Sequence, residues 1–94
     1  MLLISPLGLE KLKKHGVTRG DVEQFFENKR YFSLIDTREK HNTEPPTQWF
    51  LARTNQGRLL KVVYIQWDSK VYLKTVYEAN PHEVFIYATL CGAV

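Results

Sequence analysis

The run Leu59–Ile65, with the sequence LLKVVYI, limits the possible folds more than any other stretch of the chain. Nearly all of its residues are apolar, which is typical of a strand buried inside a sheet. Because side chains alternate along a strand, Lys61 shares a face with Val63, whereas Leu60 and Val62 lie on the other face. A buried unpaired charge is costly. The lysine therefore predicts one of three arrangements. In the first, its aliphatic stem carries the ammonium to the edge of the sheet. In the other two, this face of the sheet is hydrated, and the ammonium either binds an anion or forms an ion pair with a side chain on a neighbouring strand.

Turn chemistry on both sides of this run predicts a meander of antiparallel strands. Asn55-Gln56-Gly57 precedes the run and Trp67-Asp68-Ser69-Lys70 follows it, and both are typical of tight turns. The polar segment Asp36–Thr47, which contains two consecutive prolines, predicts a loop. The four predicted strands are Tyr31–Ile35, Gln48–Thr54, Leu59–Gln66 and Val71–Tyr77.

Capping residues predict three short helices around these strands. Ser5-Pro6 favours the start of the first helix and Gly16 its end. Thr18 favours the start of a second helix, which Asn28-Lys29 closes. Asn80-Pro81, with Glu83 at the third helical position, favours the start of a third. The chain of 94 residues is predicted to be one α+β domain. It has two N-terminal helices, a mostly antiparallel four-stranded meander sheet and one C-terminal helix, with the helices packed on one face.

Composition narrows the classes of function. The apolar share of 44% is too high for a disordered chain, and the longest apolar runs are too short to span a membrane. The net charge of +3 favours anionic partners such as nucleic acid or an acidic protein. Cys91 is the only cysteine, which excludes an internal disulfide and favours a cytosolic location. The three histidines lie on separate predicted elements, so we expect no metal. The sequence has no glycine-rich phosphate loop, so we expect no cofactor.

Basic residues on the predicted strands are the strongest candidates for a binding site. Pairing across the Asn55–Gly57 turn brings Arg53 close to Arg58. The charged loop that contains Arg38 and His41 is either solvent-exposed or the edge of a site. One or two exposed aromatic side chains on the strands are candidates for stacking on bases, but the sequence does not say which.

Short motifs add a resemblance to a known family. Lys14-His15-Gly16-Val17, followed by a helix that ends in Phe25-Phe26, resembles the opening of BrnT-type toxins. The segment Gly57–Tyr64 is similar to a strand of that family, and the resemblance spans about Leu9–Tyr87. These toxins belong to the RelE-like group of compact α+β ribonucleases, which act on RNA without a metal and are each paired with a cognate antitoxin. The resemblance therefore implies RNA and an antitoxin protein as partners.

The resemblance also implies a mechanism in which positioned cations orient the RNA 2′-hydroxyl and stabilise charge on the phosphate. Arg58 matches the family's arginine after glycine, and Lys74 takes the place of an arginine on the last strand. His15 matches the histidine at the helix junction, and Tyr77 is a possible proton donor or stacking group. The expected catalytic residues are thus Arg58, Lys74, His15 and Tyr77. The expected RNA-binding residues are Arg53 and Lys61, from strand geometry, together with Arg38 and His41.

Two alternatives remain open at the level of sequence. The segment Tyr77-Glu78-Ala79 stands where BrnT-type chains carry Ser-Ala-Arg, and the negative charge of Glu78 opposes phosphate binding. This difference motivates a non-catalytic binding module on the same fold. The segments Asp36–Glu39 and Pro45–Phe50 also resemble short bacterial chains named ADP-ribosyl-(dinitrogen reductase) hydrolase. This makes hydrolysis of an ADP-ribosyl adduct a weaker alternative, since the true glycohydrolases resemble a large all-helical fold with acidic metal clusters.

Overall fold

The computed structural model of the chain describes residues 1–29, 32–37 and 43–92. Arg38 and His41, two of the predicted RNA-binding residues, lie outside the described residues. The α+β fold has two N-terminal helices, a five-stranded sheet and a C-terminal helix, which confirms the predicted class. In chain order the elements are β1 (Leu2–Leu3), α1 (Pro6–Lys14), α2 (Arg19–Glu27), β2 (Leu34–Ile35), β3 (Thr47–Arg53), β4 (Leu59–Trp67), β5 (Lys70–Glu78) and α3 (Pro81–Leu90).

The three helices begin at their predicted capping residues. In each case a side-chain oxygen accepts a hydrogen bond from an amide that the first helical turn leaves unpaired. Ser5 caps α1 in this way. Thr18 and Asp21 form a reciprocal capping box at α2, and Asn80 and Glu83 form another at α3. Local capping chemistry therefore sets the helix starts.

The sheet has the strand order β1-β5-β4-β3-β2 and is antiparallel except at one edge. There β1 pairs with β5 in parallel, with Leu2 opposite Val71. The sequence predicted four strands, because a two-residue strand is too short to show an alternating pattern. Of the predicted strand Tyr31–Ile35, only Leu34–Ile35 is a strand among the described residues.

Helices cover both faces of the sheet. On one face, the α2 face, the Phe26 ring lies 5.0 Å from that of Phe50 and 4.9 Å from that of Tyr64. On the opposite face, the α3 face, Trp49 packs against Tyr87 of α3 with ring centroids 5.7 Å apart. The expectation that all helices pack on one face is therefore wrong. The strands β3 and β4 are apolar on both faces, so a helix must shield each face of the sheet from water.

The central position of β4 confirms the prediction that this strand anchors the core. Leu60 and Val62 are fully buried on the α2 face, and Val63 is buried on the α3 face. Side chains of this size each contribute about 1.5–3 kcal/mol when buried. Among the described residues, no helix combines the length and the apolarity that crossing a membrane requires.

The residue after the α1 C-cap provides a test of this local reasoning. Gly16 has a φ of +68°, and a Cβ at this position would be strained by the backbone alone. We expect Gly16→Ala to lower the free energy of unfolding by about 1 kcal/mol, measured by urea denaturation.

A matched control is available in α2. Gly20 is helical, and an added Cβ would make an ordinary contact 3.7 Å from Thr18 Oγ1. Gly20→Ala should therefore raise the free energy of unfolding by about 0.5 kcal/mol. Equal effects of the two substitutions would contradict the assignment of Gly16 as the left-handed residue that ends α1.

Candidate functional site

The lysine of the central strand forms a buried ion pair with the first turn of α3. Lys61 Nζ donates to Glu83 Oε2 across 2.6 Å, and Lys61 is only 3% exposed. Glu83 is held in place because its other carboxylate oxygen accepts from the backbone N–H of Asn80 at 3.0 Å. The same carboxylate thus caps α3 and neutralises the charge inside the sheet. None of the three arrangements predicted for Lys61 is observed, because α3 supplies the counter-charge from above the sheet.

Two aromatic rings complete the surroundings of this pair. Lys61 Nζ lies 4.5 Å from the ring centroid of Trp49 and 5.6 Å from that of Tyr77, within the range of cation–π attraction. Tyr77 Oη donates to Glu83 Oε2 at 2.9 Å. Burial alone would raise the pKa of Glu83. The hydrogen bonds that the carboxylate accepts, with the one from Lys61 foremost, outweigh burial and lower the pKa.

This buried cluster, formed by Lys61, Glu83, Tyr77 and Trp49, bears on two of the predicted site residues. The ammonium of Lys61, predicted to bind RNA, is enclosed by the core. The hydroxyl of Tyr77, predicted to act in catalysis, is bound to Glu83. We therefore assign both side chains a structural role in the described conformation, in which they join α3 to the sheet.

A groove of about 520 Å³ opens where the β3–β4 hairpin faces α2. Arg53, the last residue of β3, and Arg58, the residue before β4, both line it, as antiparallel pairing across the turn predicted. Arg53 Nη1 also donates to the carbonyl oxygen of Gly57 at 3.0 Å, within the same turn. The apolar lining residues include Phe25, Leu51 and Tyr87. The other polar lining residues are Asp21, Gln24, Asn28, Lys29, Thr54, Asn55 and Gln56.

The charge of this groove favours an anion. Among the described lining residues, Lys29 adds a third cation to the two arginines, and Asp21 is the one acid. The Asp21 carboxylate accepts from the backbone N–H of Thr18 at 2.9 Å, so one of its oxygens is already bound within the helix cap. Cations and amide side chains together are suited to phosphate oxygens and to the polar edges of bases.

Arg58 is held at the groove by a surface ion pair. Its Nη2 donates to Glu78 Oε1 at 3.1 Å, and the two side chains are 34% and 67% exposed. Exposed pairs of this kind contribute about 0–1 kcal/mol. Glu78 therefore orients Arg58 without binding it strongly, and an anion in the groove competes with this carboxylate.

The junction between α1 and α2 lies beside Arg58. His15 is the C-cap of α1, and Gly16 follows it in the left-handed conformation. A Cβ on Gly16 would lie 3.5 Å from Arg58 Nη1, so the junction backbone runs close to the guanidinium. The structure thus places the junction that contains His15 near Arg58. His15 itself does not line the groove.

Lys74 lies elsewhere. Val63 pairs with Thr75 and Tyr64 pairs with Leu73, so Lys74 is the extra residue of a β-bulge in β5. It lies four residues from Glu78 along the strand, or roughly 13 Å at the usual rise. Lys74 does not line the groove. Of the four predicted catalytic residues, the structure brings Arg58 and the His15 junction together and leaves Lys74 and Tyr77 apart from them.

Three residues that contribute to these sites were not predicted from the sequence. Glu83 was interpreted only as a capping residue, although a lysine inside an apolar strand requires a counter-charge somewhere in the fold. The amide side chains of Gln24 and Asn28 were not singled out, because polar residues on a short helix are normally solvent-exposed. Their position on the helix face next to the hairpin depends on tertiary packing.

Comparison with known proteins adds no family to this geometry. No family model and no curated protein sequence matches the chain. The functional proposal therefore depends on the groove, its charges and the short motifs of the sequence.

The buried ion pair can be tested by removing one charge. Glu83→Gln keeps a side-chain oxygen for the capping amide but leaves the Lys61 ammonium without a counter-ion. We expect the free energy of unfolding near neutral pH to fall by about 3 kcal/mol, measured by urea denaturation. Glu78→Gln, at an exposed pair, should change it by less than about 0.5 kcal/mol.

The lowered pKa of Glu83 also predicts a pH dependence. A carboxylate with a lowered folded pKa stabilises the protein above its unfolded pKa, and this contribution is lost as the pH falls through the folded value. The difference in unfolding free energy between wild type and Glu83→Gln should therefore shrink on acidification below the ordinary glutamate range. A difference that stays constant from neutral to acidic pH would contradict the charged state of Glu83.

Proposed function

We propose that this chain acts in the cytoplasm as a toxin-type protein similar to BrnT, which binds RNA in the groove beside the β3–β4 hairpin and is neutralised by an antitoxin. The observation that carries the proposal is the convergence of Arg53 and Arg58 on one groove that is also lined by amide side chains. Guanidinium groups bind phosphate through paired N–H donors, and amides recognise base edges.

The exposed Arg58–Glu78 pair is compatible with this role. Its worth of about 0–1 kcal/mol is small beside a charge-assisted contact to phosphate, which contributes about 1.5–3 kcal/mol. In the proposal, a phosphate replaces Glu78 as the partner of Arg58. Glu78 therefore weakens RNA binding but does not abolish it.

Metal-independent cleavage is the catalytic form of this proposal. Arg58 stabilises the charge that develops on the phosphate, because a fixed cation at that point lowers the barrier. His15, at the adjacent junction, is the side chain type suited to proton transfer at neutral pH. Both roles require RNA to lie across the end of the hairpin, next to Gly16.

A non-catalytic binding module is the second candidate, and two observations favour it. The Tyr77 hydroxyl is bound to Glu83, and Lys74 lies about 13 Å along β5 from the residue that pairs with Arg58. Catalysis would then depend on Arg58 and His15 alone. Tight RNA binding without any cleavage would support this module over a ribonuclease.

The groove is tested by two opposite changes of charge. Arg58→Ala should weaken binding of a single-stranded RNA oligomer by about tenfold or more, because it removes a phosphate contact. Glu78→Gln should tighten binding, because it removes the competing carboxylate. Binding is measured by fluorescence anisotropy at several salt concentrations, where Arg58→Ala should reduce the salt slope by about 0.7.

Lys11→Ala is the matched control, since this exposed lysine on α1 does not line the groove. Its effect on affinity should be small. Cleavage of the same oligomer without added metal, and growth after expression, separate the ribonuclease from the binding module. A wild-type chain that binds no RNA would refute both forms of the proposal.

A further inference from the structure

Two exposed aromatic side chains lie on the α3 face, beyond the part that α3 covers. Trp67 is 60% exposed and Tyr72 is 38% exposed, whereas the other tryptophan, Trp49, is 6% exposed. Large aromatic side chains are normally buried for most of their area, since that burial contributes strongly to stability. Within the described part of the chain, neither of the two exposed rings packs against another aromatic ring.

The strand register makes these two rings neighbours. Trp67 pairs with Lys70, and Ile65 pairs with Tyr72, across the β4–β5 ribbon. Trp67 and Tyr72 are therefore diagonal neighbours on one face, about 7–8 Å apart, which is within reach of aromatic side chains. The tight turn between the strands fixes this arrangement.

Lysines flank the two rings. Lys70 is opposite Trp67, and Lys74 lies two residues beyond Tyr72. Leu73 is buried on the α2 face, so its neighbour Tyr72 projects from the α3 face. Lys74 is exposed and is the unpaired residue of the bulge, where simple alternation does not assign a face. The described strand positions on this half of the face carry no carboxylate, and Asp68 lies in the turn beyond the strand ends. The charge of the surface therefore favours an anionic ligand.

We propose that Trp67 and Tyr72, flanked by Lys70, form an aromatic platform on which bases of single-stranded RNA stack. Aromatic side chains stack on the faces of bases, and lysines bind the phosphates. Many proteins bind single-stranded nucleic acids in this way, with little sequence preference. The identity of the ligand rests on the proposed function, but the platform is a second site at the opposite end of β4 from the groove.

The two sites differ in chemistry as well as in place. The groove carries arginines and amide side chains, neither of which the platform has, whereas the platform exposes a tryptophan and a tyrosine on a sheet face. They are separated by roughly the length of β4, about 26 Å at the usual rise per residue. An RNA strand of about twelve nucleotides is long enough to test both, since single-strand sites in proteins span about 4–16 nucleotides.

The experiment is a titration of the full chain with an oligouridylate of about twelve nucleotides. Stacking on Trp67 should quench its fluorescence, whereas Trp49 is buried and should report no change. Trp67→Ala should weaken the affinity by about tenfold, and Tyr72→Ala should weaken it by at least about fivefold. Phe85→Ala is the matched control, because this aromatic side chain on α3 is 68% exposed and outside the platform. It should bind RNA like the wild type.

Each outcome decides for or against the platform. Weaker binding by Trp67→Ala with unchanged binding by Arg58→Ala would support the platform and refute the groove. The reverse result would overturn the platform and leave the groove standing. Equal quenching by an abasic strand of the same length would overturn base stacking. The wild type could instead prove to be a dimer that Trp67→Ala converts to a monomer, with no change in RNA affinity. That result would show that the surface binds a second copy of the chain, and it would overturn the proposal.

Discussion

The ion pair between Lys61 and Glu83 is the interaction on which the arrangement of α3 depends. A lysine in the most apolar strand is tolerable only if a carboxylate meets it, and that carboxylate sits in the first turn of the helix. With Glu83 fixed above β4, the residue one helical turn later, Tyr87, lies over Trp49. The pair therefore selects the face that α3 covers and the point along the sheet where the helix starts.

Much of the fold was predictable because its signals are local. Caps at Ser5, Thr18 and Asn80 set the helix starts, and the turn at Gly57 sets the register of the hairpin. The position of α3 on the second face was not predictable from such signals. It depends on the contact between Lys61 and Glu83, which are 22 positions apart in the sequence. The chain has ten acidic residues, and no local sequence pattern shows which of them pairs with Lys61.

The candidate sites show the same division. The meeting of Arg53 and Arg58 follows from hairpin pairing, so the sequence predicted one half of the groove. The other half comes from α2, whose packing against the sheet the sequence did not specify. Lys61 was predicted at the surface because alternation gives the face of a residue but not what covers that face. For the same reason, the sequence did not show which aromatic side chains stay exposed. Trp49 is buried because α3 packs over it, whereas α3 does not extend as far as Trp67.

The parallel edge strand has a consequence for the order of folding during synthesis. Leu2 pairs with Val71, a residue made 69 positions later, so the first strand of the sheet waits for β5 before its backbone amides find partners. The helices and the β3–β4 hairpin close through short-range contacts and require no such delay. On the ribosome, β3 and β4 are therefore free to pair before β5 is made, whereas β1 joins the sheet only after β5 is complete.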